Sequence, residues 1–145
     1  METTKTKTVT VEAIVNTSIE NVWFFWTKPE HIKKWNNASD DWHTPWAKND
    51  LRIGGKFISR MEAKDGSAGF SFGGTYTEVK RNELISSVLD DGRKVRNTFE
   101  GNNYVTVVSV TFETENTNSV ELQRSGWQAI LNNFKKYAES NSEKG

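Results

Sequence analysis

The sequence predicts an α+β fold: a curved antiparallel β-sheet wrapped around a long C-terminal helix, with two short helices after the first strand. Three observations predict it. An alternating segment near the start gives way to two short segments of helical period. Turn residues then divide the middle of the chain into sequential hairpins. The end carries one apolar stripe about three turns long, and a helix with a single apolar face must lie on another layer. The concave side of a curved meander is the surface available to it.

Taken in order, "KTKTVTVEAIV" places Val9, Val11, Ala13 and Val15 on one face of a strand. In "TSIENVWFFWT" the period changes. Ser18 can cap a helix whose Ile19, Val22, Trp23 and Trp26 fall at i, i+3, i+4 and i+7 and read as core. Pro29 opens a second short helix, "PEHIKKW", in which Ile32 and Trp35 share a face and His31 reads as surface. Asn36 to Asn49, containing Pro45, reads as a loop. From Asp50 to Thr114 the signals are strands and turns. "GGKFISRMEA" alternates Phe57, Ser59 and Met61 against Ile58, Arg60 and Glu62, and Asp65-Gly66 supplies a hairpin turn. "AGFSFGGTYTEV" puts Phe70, Phe72, Gly74 and Tyr76 on one face, with Gly73-Gly74 able to host a bulge that would flip the rest of the strand. Three more strands come next, turned at Asp91-Gly92 and Gly101-Asn102-Asn103. In the terminal helix, Asn118 and Glu121 resemble a capping box. Trp127, Ile130, Leu131, Phe134, Tyr137 and Ala138 form its stripe. Gly126 inside this helix costs about 1 kcal/mol relative to Ala, which implies a packing or access reason for it.

Composition bounds the function. A chain of 145 residues fits a single domain, residues 1–145, and needs no covalent staple. It has no cysteine, hence no disulfide and no thiol chemistry, which fits a reducing, cytoplasmic compartment. The start, "METTKTKTVTVEA", has no apolar core of a secretory signal. No apolar run approaches the ~18 residues of a membrane span. Lys plus Arg and Asp plus Glu both number 19. The basic residues are scattered, and "GRKVRN" reads as a solvated strand face, so no nucleic-acid partner is predicted. The apolar fraction is 34%, with six Trp, eight Phe and three Tyr, so the core must lean on large rings.

Few residues offer reactive chemistry. His31 stands among lysines, and His43 has only Asp40 and Asp41 nearby. Without a third nitrogen or sulfur ligand, neither a metal nor another cofactor is predicted. "SGW" at 125–127 lies within a helix and lacks the elbow a hydrolase serine needs, so no catalytic residue is assigned. The glycine pairs of "RIGGKF" and "FGGTY" precede strands, whereas a phosphate cradle requires a helix N-terminus. Tyr76, Arg60, Glu62, His43 and Asp41 are the groups available for acid–base work.

In this order the pieces resemble a known superfamily. "SIENVWFFWTKPEHIKKW", "DLRIGGKF", "GGTYTEV", the strand end at Ser109 to Thr114, and "GWQAILNNFKKYAE" run over nearly the whole chain. They are similar to the START-like, or SRPBCC, superfamily, and within it to the group named for activators of the heat-shock-protein-90 ATPase. The resemblance implies the helix-grip fold, with a cavity between sheet and long helix that takes a small apolar or aromatic molecule. Members also include chaperone co-factors and polyketide cyclases. A chaperone protein as partner and a cofactor-free cyclase are therefore the alternatives, and the site must decide. The chain departs from many relatives in "NNASDDW" after the second helix and in its short approach to the last. On this fold Phe57, Met61, Phe70, Phe72 and Tyr76 would face Trp127, Leu131 and Phe134 across the cavity. Trp35, with Trp42 and Trp46 in the loop beyond it, would form the gate.

Overall fold

The computed structural model describes residues 7–37 and 39–141. Strand β1 (Thr8–Val15) is followed by helices α1 (Ile19–Thr27) and α2 (Pro29–Trp35). The meander comprises β2 (Trp42–Asn49), β3 (Lys56–Ala63), β4 (Gly69–Lys80), β5 (Leu84–Leu89), β6 (Lys94–Gly101) and β7 (Thr106–Glu113). Helix α3 (Val120–Asn141) completes the order. The seven strands form one antiparallel sheet in the order β1-β7-β6-β5-β4-β3-β2, curled into a half-barrel around α3. This is the α+β helix grip. The alternating segment of the sequence begins at Lys5; Lys5 and Thr6 lie outside the described residues. Among the described residues no helix is long and apolar enough to cross a membrane.

The alternation in β1 buries Val9, Val11, Ala13 and Val15, and β7 answers with Val108, Val110 and Phe112. Side chains of α3 cover the free edge of β1. Gln128 Nε2 donates to the Glu12 carbonyl at 3.1 Å and Lys135 Nζ to that of Ile14 at 2.7 Å. Just past the strand, the Asn16 backbone N–H donates to Glu139 at 2.8 Å. Carbonyls at a sheet edge that would otherwise recruit another strand thus have partners.

The Ser18 cap forms as expected, its Oγ accepting the Asn21 N–H at 3.1 Å. Helix α1 is apolar over a wider arc than its predicted stripe, because Phe25 is also buried. Phe25 meets Tyr137 of α3 at 5.6 Å, and its carbonyl accepts Trp35 Nε1–H at 3.0 Å. This packing corrects the surface placement of His31. The ring lies half-buried against Phe24 and Phe25, 5.1 and 5.0 Å between centroids, with Nδ1 2.5 Å from the Tyr137 hydroxyl.

Three local readings differ from the sequence expectation. The segment before Asn49 is partly strand, since β2 pairs with β3 from Trp42 to Asn49. Pro45 falls where the register slips between His43 and Trp46, and β2 is an edge strand, so the missing N–H costs no ladder bond. Helix α3 is capped by Ser119, whose Oγ accepts the Leu122 N–H at 3.1 Å. Asn118 instead donates its own backbone N–H to Glu115 at 2.8 Å. The bulge in β4 lies between Tyr76 and Glu78, while Gly73-Gly74 pairs without interruption against Ile58 and Phe57. Gly74 serves close approach: a Cβ there would sit 2.5 Å from the Val88 carbonyl and 3.1 Å from the Phe57 ring. The alternation therefore survives to Tyr76, which stays inward.

Candidate functional site

Between the concave sheet and α3 lies a cavity of about 430 Å³. Its size falls in the usual range for small-molecule sites, about 300–1,000 Å³. Of the residues expected around it, Trp35, Phe57, Met61, Phe70, Phe72, Tyr76, Trp127 and Leu131 line it. Trp127 faces the sheet, stacked on Phe112 at 4.2 Å with planes 8° apart and meeting Phe72 edge-on at 6.1 Å. Phe57 lies against Tyr76 at 5.0 Å. Exposed Phe70 and Leu122 are apolar members of the lining that reach solvent, and they mark the opening.

Three expected residues lie off the cavity. Trp42 packs on the outer part of Phe70 at 5.8 Å. Trp46 is 42% exposed on the edge strand, with Lys48 Nζ 5.7 Å from its ring centroid. Neither is in a loop. Phe134 is fully buried one layer back, edge-on to Trp26 and to Trp35 at 4.9 Å each. It supports the wall without touching the space.

Several lining residues were not anticipated. Trp26, read as core, is half-buried and lines the cavity with Ile32 and Trp35. Ser59, Ser87 and Asn97 are buried polar residues on the sheet floor. Their signal was available: each occupies the apolar phase of an alternating strand. Ile130 lines the helix side, as does Gly126, for which the sequence implied a packing or access reason. A Cβ built on Gly126 meets nothing within 4 Å, so this glycine leaves space next to the cavity and makes no close helix–sheet contact.

Most of the polar lining is already bonded. The Tyr76 hydroxyl donates to Asn49 Oδ1, and Asn49 Nδ2 donates to the Thr27 carbonyl at 2.6 Å, which ties β4 and β2 to the end of α1. Asn36 Nδ2 donates to Ser59 Oγ at 3.3 Å. Gln123 Nε2 donates to the carbonyls of Glu115 and Asn118, at 3.0 and 2.8 Å. The charged lining residues Lys48, Arg93 and Glu115 all reach solvent. Arg93 Nε donates to Asp91 at 2.8 Å. Hydrogen bonds from Asn118 hold the Glu115 carboxylate below its ordinary range.

Among the acid–base candidates only Tyr76 lines the cavity. Arg60 and Glu62 pair with each other at 2.9 Å on the other face, and His43 is exposed on β2. Among the described residues no three His, Asp or Glu side chains gather closely enough to hold a metal. Burial pushes the Tyr76 phenol well above its ordinary range, and the charge of Asp50 pushes it further. A raised phenol pKa contributes stability that is present below the unfolded value, about 10, and is lost as pH rises through the folded one. Unfolding free energy of the native protein should therefore fall more steeply between about pH 10 and 12 than that of Tyr76→Phe. Urea titrations across that window check it, and parallel slopes would contradict it.

Proteins of known structure share this architecture. No curated protein matches the chain. The AHSA1-like protein of Aeromonas hydrophila, known from a solution NMR structure, is 45% identical. It superposes with a TM-score of 0.87 over 92% of this chain and 93% of that one. Chr148 of Cytophaga hutchinsonii is 52% identical, with a TM-score of 0.78 over 94% of each chain. A protein of Nitrosomonas europaea at 17% identity and TM-score 0.79, covering 94% and 96%, shares the fold. The family model described as Activator of Hsp90 ATPase homolog 1-like protein matches residues 16–139. With the helix grip in place and that match spanning most of its length, the chain belongs to the Activator of Hsp90 ATPase homolog 1-like family of SRPBCC-fold proteins.

Proposed function

We propose that this protein is a single-domain, cytoplasmic binding protein that takes a small apolar or aromatic molecule into the cavity between its sheet and α3. The observation that carries this reading is the cavity itself. About 430 Å³ is held open between two layers, walled largely by Trp, Phe, Ile and Leu, and none of its charged residues is fully buried. An apolar guest there leaves water and meets ring faces, a gain that scales with the apolar area covered. The neutral fluorophore N-phenyl-1-naphthylamine tests it. Saturable, one-to-one enhancement of its emission, with quenching of Trp127, is expected. Enhancement that never saturates, or none, would refute the reading.

The family name supports a second reading, contact with an Hsp90-type chaperone. An ATPase assay with the chaperone from the same cell separates the two. Strong stimulation that persists when the cavity is blocked would move the function from the cavity to the protein surface.

A further inference from the structure

Ser87 on β5 and Asn97 on β6 interrupt two inward faces that are otherwise apolar. Ile85 and Leu89 flank the first, and Val95 and Phe99 the second, all of them buried. The register sets Ser87 opposite Val95 and Asn97 opposite Ile85. The two polar side chains are therefore diagonal neighbours on the floor, with backbones about 7–8 Å apart. They are 5% and 9% exposed, and both line the cavity. Neither has a hydrogen-bond partner among the described residues. Nor are their polar atoms sealed against packed neighbours, a condition that among the described residues applies to Asn82 Oδ1. They open onto the cavity.

A hydroxyl and an amide in an apolar pocket bond something or forfeit their hydration. Each can donate and accept, and neither carries charge. The fully buried lining carries no charge, and the one mostly buried cation, Arg93 with its side chain 20% exposed, is already paired with Asp91 at 2.8 Å, so an ionised guest would lose its solvation for little return. From this we propose that the molecule bound in the cavity is a neutral ring compound bearing one hydroxyl or carbonyl oxygen, seated between Ser87 and Asn97. The proposal rests on the cavity reading above and adds to it the chemical class of the ligand. A bare hydrocarbon of the same shape would displace water from both groups and replace no bond.

Three probes of one shape test it by NMR titration: 2-naphthol, naphthalene and 2-naphthoate. The native protein should bind 2-naphthol about tenfold tighter than either of the others, the worth of one hydrogen bond that would otherwise be lost. Asn97→Leu and Ser87→Ala should each reduce that preference severalfold while leaving naphthalene bound as well or better. Thermal melts establish that the variants are folded. Ser87→Ala removes a single oxygen and carries the test should Asn97→Leu fail to fold. Equal affinity for the three compounds, or a preference unchanged in the folded variants, overturns the proposal and leaves the cavity reading standing. Binding of none of them overturns both.

Discussion

Replacing Gly126 by leucine is expected to block the cavity while the protein stays folded. Position 126 lies in the first half of α3, among the residues lining the space, and a Cβ there meets no atom within 4 Å. A leucine side chain can grow into that space without displacing the sheet. Helix propensity favours the change by up to ~1 kcal/mol. A guest must then share the site with four added carbons. Overpacking of about 1–3 kcal/mol corresponds to a roughly fivefold to 150-fold loss of affinity for N-phenyl-1-naphthylamine. The melting temperature should hold or rise. A folded variant with native affinity would remove Gly126 from the site, and a large fall in melting temperature would mean the helix needs glycine for packing.

Phe134→Ala should have the largest effect on stability. The ring is fully buried, and it meets Trp26 of α1 and Trp35 of α2 from α3. Three helices therefore converge on one side chain. Truncating a buried Phe to Ala costs about 3–5 kcal/mol, a large part of the roughly 5–15 kcal/mol that holds a typical domain folded. Urea denaturation of both proteins measures the difference directly. A loss below about 1 kcal/mol would mean that the two tryptophans close over the gap unaided.

How much of this was legible in the sequence depended on periodicity. The alternation of β1, the change of period at Ser18 and the stripe of α3 each report a face that meets the core, so the α+β order could be read directly. Inwardness was legible for Phe57, Met61 and Phe72 for the same reason, whereas for Tyr76 it hung on whether Gly73-Gly74 bulged. What periodicity does not convey is depth. Trp26 and Phe134 both occupy inward stripes, yet one lines the cavity and the other supports its wall, because position along the helix axis decides which ring meets empty space. Strand β2 was missed because Pro45 and polar neighbours mimic a loop. An edge strand tolerates both, since only one of its sides must satisfy a ladder. Trp42 and Trp46 were drawn toward the site by that same misreading. Ser87 and Asn97 show the reverse: a polar residue in an apolar phase is visible in the sequence, and its meaning emerges once the strands are in register.

The pairing of β1 with β7 has a consequence for how the chain reaches this state. Thr8 lies opposite Glu113 and Val15 opposite Thr106, partners separated by about a hundred residues, so closing that loop carries a high entropic cost and places the contact late in folding. The hairpins from β2 to β7 are local and can form beforehand. During synthesis β1 precedes the rest of the sheet, and its partner β7 follows only after the whole meander between them. Helix α3, which bonds the outer edge of β1 and covers the cavity, is later still. The interior thus remains an open trough until the last segment docks, and until then both edges of β1 are free to pair with the wrong strand.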